Sequence, residues 1–346
     1  MRSWQWTLVL AVVVGGILSG GIEAQSANLE LLGAGATFPH PLYQTMFDAF
    51  TRQNPVKVQY QAVGSGDGMR RLLERKVDFG ATDAYRAGQD GAALVQVPTC
   101  LGAVVLTYSL PGNPKLRLAP DVIADLFLGT ITRWTDPRIS ALNPGQRLPD
   151  LPVQVVHRSD ASGTTYIFTE YLAKTSRPWK DKVGTGISVS WPLGAAGGGN
   201  PGVASLIKQT PGSIGYVELL YALGNELKFA EILNRSGRFI EPTPETVALA
   251  AQTTLPDDTN VSLTDTAVAE AYPISSFTWL AVFKNQDYDG RTRDRAEWLV
   301  RLLWWMTHEG QAHARPLFYA PLPKEAVRKA EGLLRAVTFG SQPILK

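Results

Sequence analysis

Cysteine is almost missing from this 346-residue chain, where Cys100 stands alone. That excludes an intrachain disulfide and any cysteine-cluster zinc site. Histidine is sparse as well: His40, His157, His308 and His313 include no pair at the i, i+4 spacing of a helical metal site. Neither sign of charge dominates, since 33 Lys and Arg face 31 Asp and Glu for a net +2. Such a balance argues against nucleic acid or an anionic membrane surface as the main partner. Only one long apolar run exists, over residues 7–18 (TLVLAVVVGGIL). It falls short of the roughly 20 residues of a membrane span and is broken by Gly15-Gly16. Behind Met1-Arg2, and ahead of a small, polar stretch ending at Ala24, it predicts a secretory signal peptide over residues 1–24. No cysteine lies near that cut, which speaks against a lipid-anchored form. The expected product is soluble and exported.

What remains has the composition of an ordinary globular protein, 45% hydrophobic and 18% charged. At roughly 150 residues per domain, its length suggests two domains. Leu42, Tyr43, Met46, Phe47 and Phe50 fall at helical intervals behind the strand-like Leu31-Leu32. Met69, Leu72 and Leu73 repeat the pattern, with Arg70, Arg71, Glu74 and Arg75 on the other face. Residues 77–80 and 103–108 read as strands, and a helix carrying Tyr166, Ile167, Phe168, Tyr171 and Leu172 follows Ser162. Trp298, Leu302 and Trp305 mark a late helix, and Trp304-Trp305 read as core. This alternation predicts an α/β fold without internal repeats. The run at residues 197–202 (GGGNPG) is the most flexible-looking stretch.

Three turns of small residues open helices: residues 33–39 (GAGATFP), 64–68 (GSGDG) and 158–164 (RSDASGT). Helix starts expose unpaired N–H groups and partial positive charge, so hydroxyl-bearing, glycine-rich turns there can cradle an oxyanion. One such turn is weak, because Ser and Thr at helix starts usually serve only as caps; three in one chain carry more weight. None has the Walker A spacing, and the first lacks the third glycine of the dinucleotide fingerprint. Arg158 supplies the charged donor, whose guanidinium can grip two oxygens of one anion, with Asp160 expected to orient it. Asp83 reads by spacing alone as a turn residue. Beside an anion it accepts a hydrogen bond from protonated phosphate and repels sulfate, which has no proton to give at neutral pH.

Catalytic arrangements are thin. Ser162, His157 and Asp160 are the residue types of a triad, but they crowd six residues of one loop. Ser205 to Lys208 fits S-x-x-K without its companion motifs. Cys100, just ahead of a buried strand, reads as a small core residue.

At these residues the chain resembles the periplasmic phosphate-binding proteins, the substrate-binding components of phosphate ABC transporters. The likeness runs from about residue 31 to 323. It is carried by the turns at 33–39 and 158–166, by 77–83 (VDFGATD), by 128–145 (LGTITRWTDPRISALNPG) and by 210–218 (TPGSIGYVE). The resemblance implies a two-lobed, type II binding-protein fold whose lobes are joined by two crossing strands, near residues 103–108 and 275–283. Lobe I would comprise residues 25–106 and 277–346, and lobe II residues 107–276. It implies phosphate held in the cleft by Thr37, Phe38, Ser65, Arg158, Ser162, Gly163 and Thr164, with Asp83 as acceptor and Asp160 and Asp67 in support. Relatives usually carry only Ser and Gly where Asp67 stands, and Asp67 reads best as a helix-start carboxylate. His157 replaces a second basic residue and makes the local charge pH-dependent.

The implied protein is a monomeric, non-enzymatic periplasmic receptor without cofactor or metal, delivering phosphate to a membrane permease. Two alternatives stand beside it: a receptor for another tetrahedral oxyanion, sulfate or arsenate, and a secreted phosphoester hydrolase with Ser162 as nucleophile.

Overall fold

Strand Leu29–Gly35 runs parallel to Val56–Gln61 on one side and Phe79–Thr82 on the other. The helices between them pack back onto this sheet, as parallel pairing requires of its crossovers. His40–Gln53 buries Leu42, Tyr43, Met46, Phe47 and Phe50 on one face, each large side chain contributing about 1.5–3 kcal/mol. The short helix Ser65–Leu73 turns Met69 and Leu72 inward. Leu73 lies about 100° further round the helix and is 43% exposed, departing from the inward group expected of it. The structure, a computed structural model, describes residues 29–85 and 94–345; the expected signal peptide at 1–24 lies outside them.

A single long strand, Leu94–Tyr108, ties the molecule together. Its first part pairs antiparallel with Ser275–Phe283, from Phe283 opposite Leu94 to Ser275 opposite Ala103. From Val104 to Tyr108 it pairs instead with Ser213–Glu218. The strand begins earlier than the apolar run at 103–108 suggests, because Pro98 is accommodated. Proline has no N–H for a ladder, and the register shifts there, with Thr278 opposite Cys100 but Trp279 opposite Pro98. Cys100 consequently lies inside the strand, fully buried. Beyond Ser213–Glu218 follow Gln154–Arg158 and Ala195–Gly197, all parallel.

The resulting mixed sheet has nine strands and two halves that share one strand. Residues 197–202, flexible by composition, instead end the strand Ala195–Gly197 and open the helix Gly199–Gln209. Phe79–Thr82 lies two residues further along than the run at 77–80, and just ahead of it Asp78 donates its N–H to the Leu32 carbonyl at 2.7 Å while its carboxylate accepts the Leu32 N–H at 2.6 Å. Among the described residues no helix is long and apolar enough to cross a membrane. Among the same residues no His, Cys, Asp and Glu cluster could hold a metal ion.

Candidate functional site

Parallel strands leave their carboxyl ends on one edge of each half-sheet, where α/β folds form their crevices. Leu29–Gly35 delivers Thr37 and Phe38 there, Val56–Gln61 delivers Ser65, and Phe79–Thr82 delivers Asp83. From the other half, Gln154–Arg158 ends in Arg158 and leads to Ser162, Gly163 and Thr164. All eight of these residues are buried.

The two halves meet through them. Gly163 donates its N–H to Ser65 Oγ at 3.1 Å, and Gly66 N–H reaches the Ala161 carbonyl at 3.0 Å. Glycine is required at both edges of this contact. A Cβ on Gly64, whose φ is +97°, would stand 2.4 Å from Asp160 Oδ2. One on Gly163 would stand 2.6 Å from the Asp83 carboxylate.

Ser162 caps the helix Gly163–Thr175 by accepting the Thr165 N–H at 3.1 Å. Its own proton stays free to donate, at the positive end of the helix dipole. Arg158 is 4% exposed. Its Nε donates to Asp160 Oδ1 at 2.8 Å, Nη2 donates to Oδ2 of the same carboxylate, and Nη1 reaches Thr164 Oγ1 at 3.2 Å. Burial pushes the Asp160 carboxyl up, but the Arg158 guanidinium and the Gly199 N–H outweigh it and hold the group below its ordinary value. Asp160 is therefore ionised at neutral pH and fixes the guanidinium plane.

Asp83 behaves differently. Burial raises its carboxyl to about 7, against the lowering effects of the Thr278 hydroxyl, the Arg158 charge and the Ser65 hydroxyl. Thr278 Oγ1 donates to Asp83 Oδ1 at 2.7 Å. A second buried carboxyl, Glu218, is pushed well above its ordinary value by burial, and it accepts the Leu220 N–H at 3.0 Å. The site thus combines one compensated ion pair, hydroxyl and amide donors, and an acceptor poised between its protonation states. Those groups suit a small anion that carries a proton.

Phe38 contributes backbone and shape, its carbonyl accepting the Tyr319 hydroxyl at 2.7 Å. Asp67 is not gathered in: its carboxylate pairs with Arg70 and Arg71 on its own helix and is 30% exposed. His157 stacks on Trp191 at 4.9 Å and turns Nδ1 to the Arg158 carbonyl. The triad residue types other than Ser162 are thus turned elsewhere, His157 Nδ1 to a carbonyl and Asp160 to Arg158.

Sequence reasoning missed three side chains here. Asn200 bonds the Thr37 and Thr164 hydroxyls at 2.9 and 3.2 Å. Thr278 sits mid-strand, and Tyr221 donates to the Thr37 carbonyl at 2.6 Å. Only Asn200 had a signal, since its glycine run also opens a helix. Nothing local marks the other two.

The family model described as PBP superfamily domain matches residues 22–308. The phosphate-binding protein PstS of Xylella fastidiosa is 38% identical over 318 residues, covering 89% of this chain and 85% of its own. That of Haemophilus influenzae is also 38% identical, over 315 residues, covering 89% and 93%. Among solved structures, the high-affinity periplasmic phosphate-binding protein PfluDING, bound with phosphate, aligns at TM-score 0.69 and 22% identity, covering 88% of this chain and 93% of that one.

Proposed function

Because the chain belongs to the PBP superfamily and, within it, to the family of the phosphate-binding proteins PstS, we propose that it binds inorganic phosphate between its two lobes and delivers it to an ABC-type importer. The single observation that carries the site assignment is that Arg158, held flat by ionised Asp160, and the acceptor Asp83 are both buried where the two halves meet. Phosphate at neutral pH has both features these groups ask for, unprotonated oxygens and one proton. Thr37, Phe38, Ser65, Ser162, Gly163 and Thr164 supply the remaining donors. Asp160 supports the pocket through Arg158, and Asp67 serves its own helix.

Lobe I comprises residues 25–106 and 277–346, and lobe II residues 107–276. The switch in pairing between Ala103 and Val104 supports a crossing close to that boundary. The protein acts as a monomer in the periplasm after losing residues 1–24, its closed form docking on a membrane permease. It performs no catalysis: the commitments of His157 to a carbonyl and of Asp160 to Arg158 support this reading over a phosphoester hydrolase. The test is calorimetric titration of the anion-stripped protein with phosphate, arsenate and sulfate. Tight single-site phosphate binding without sulfate heat is expected. Silence towards phosphate from a folded protein overturns the reading, and turnover of a chromogenic phosphate ester that Ser162→Ala abolishes would favour the hydrolase.

A further inference from the structure

Asn200 is fully buried at the start of the helix Gly199–Gln209. Its Oδ1 accepts the Glu218 backbone N–H at 2.9 Å. A backbone N–H can only donate, so this contact settles which end of the carboxamide is oxygen. The Nδ2 amino group therefore faces the cleft residues, 2.9 Å from Thr37 Oγ1 and 3.2 Å from Thr164 Oγ1.

Each threonine also receives a second donor. The Asn200 backbone N–H reaches Thr37 Oγ1 at 3.1 Å, and Arg158 Nη1 reaches Thr164 Oγ1 at 3.2 Å. A hydroxyl oxygen has two lone pairs and one proton. With both lone pairs engaged, neither hydroxyl can accept from a ligand, and each proton is left to donate.

We propose that Asn200 is a positioning residue that turns the hydroxyls of Thr37 and Thr164 into obligate donors, so that the pocket offers them only to unprotonated oxygens of the anion. This rests on the reading of both threonines as anion donors. It completes a division of labour. Asp83 takes the one protonated oxygen, while the threonines, unable to accept, exclude that oxygen from their side, so the bound anion is held in one orientation. Because Nδ2 bridges Thr37 of one lobe and Thr164 of the other, the arrangement assembles only when the lobes approach. Orientation of the donors is thereby coupled to closure.

The test is a mutant cycle read by calorimetric titration of inorganic phosphate into the whole, anion-stripped protein. Asn200→Ala should weaken phosphate binding by about tenfold or more in the native background, but by less than about threefold once Thr37→Val is present. The same shrinkage is expected with Thr164→Val. Equal losses in all backgrounds, which a merely structural role would give alongside a lower melting temperature, overturn the proposal. If Asn200→Ala does not fold by circular dichroism, Asn200→Leu runs the same cycle, since it is similar in size, adds no charge to the pocket and cannot donate to either hydroxyl. Failure of the native protein to bind phosphate removes the functional reading itself, and the proposal with it, which is a different result from equal losses.

Discussion

Burial raises the Asp83 carboxyl to about 7 from an ordinary value of 3.8, and the sign of the consequence follows from proton linkage. Between those two values the folded chain holds a proton that the unfolded chain has released, so stability falls as pH rises through that window. Above about 7 the buried charge carries its full cost, on the order of a few kcal/mol. Asp83→Asn should therefore raise the melting temperature of the ligand-free protein at pH 8, with the gain vanishing near pH 4. A gain of equal size at both pH values would contradict this origin. Arg158 shows the opposite economy, since its burial is compensated by Asp160. Arg158→Ala leaves that carboxylate unpaired beside the anion, and calorimetry should show phosphate affinity falling at least about 100-fold. A loss of under threefold would mark Arg158 as a solvated arginine. Arg158 could be named from a local pattern, a lone arginine ahead of a serine-glycine turn, whereas Asp83 reads locally as a turn residue and is named through the family resemblance. Thr278 could not be read in either way, and for Asn200 only the helix start was legible, not what it bonds. Their partners, Asp83 and Thr37, lie 195 and 163 residues away along the chain.

Elements carry the site by where they start and stop. The helix Gly163–Thr175 begins where Ser162 caps it, so Ser162→Ala loses both a cap and a hydroxyl donor. The cap alone is worth about 1 kcal/mol, and thermal melting of the ligand-free variant should fall by about 1–2 °C. An unchanged melting temperature would show that Ser162 contributes nothing as a cap. Helix starts at Ser65 and Gly163 were legible because glycine and hydroxyl residues there have a local stereochemical cause. The full extent of Leu94–Tyr108 was not. Pro98 reads as a strand breaker, and only the register shift opposite Thr278 and Trp279 lets it stay. That same irregularity lies beside Thr278, which braces Asp83. The run at 197–202 misled for a related reason. Its glycines permit close backbone approach, with a Cβ on Gly197 standing 2.7 Å from the Val203 nitrogen, and composition alone cannot separate close packing from mobility.

At the scale of the whole molecule, contacts between the halves define one closed arrangement. Tyr221 reaches the Thr37 carbonyl and Tyr85 reaches Glu170 Oε1, each at 2.6 Å. A ligand shifts such an arrangement only as far as it prefers it, so phosphate should lower the radius of gyration measured by solution scattering. Tyr221→Phe removes a closing bond without removing a proposed ligand contact and should weaken phosphate binding about 2- to 10-fold. Unchanged scattering on phosphate addition would rule closure out as the response to ligand. The central claim, however, is that a buried acceptor makes this cleft a receptor for protonated phosphate. It is tested most directly by titrating the native protein and Asp83→Asn with phosphate and with sulfate at pH 8. The account predicts that the native protein takes phosphate and refuses sulfate, while the asparagine variant, now able to donate, takes sulfate. Native binding of sulfate as tight as that of phosphate would contradict it.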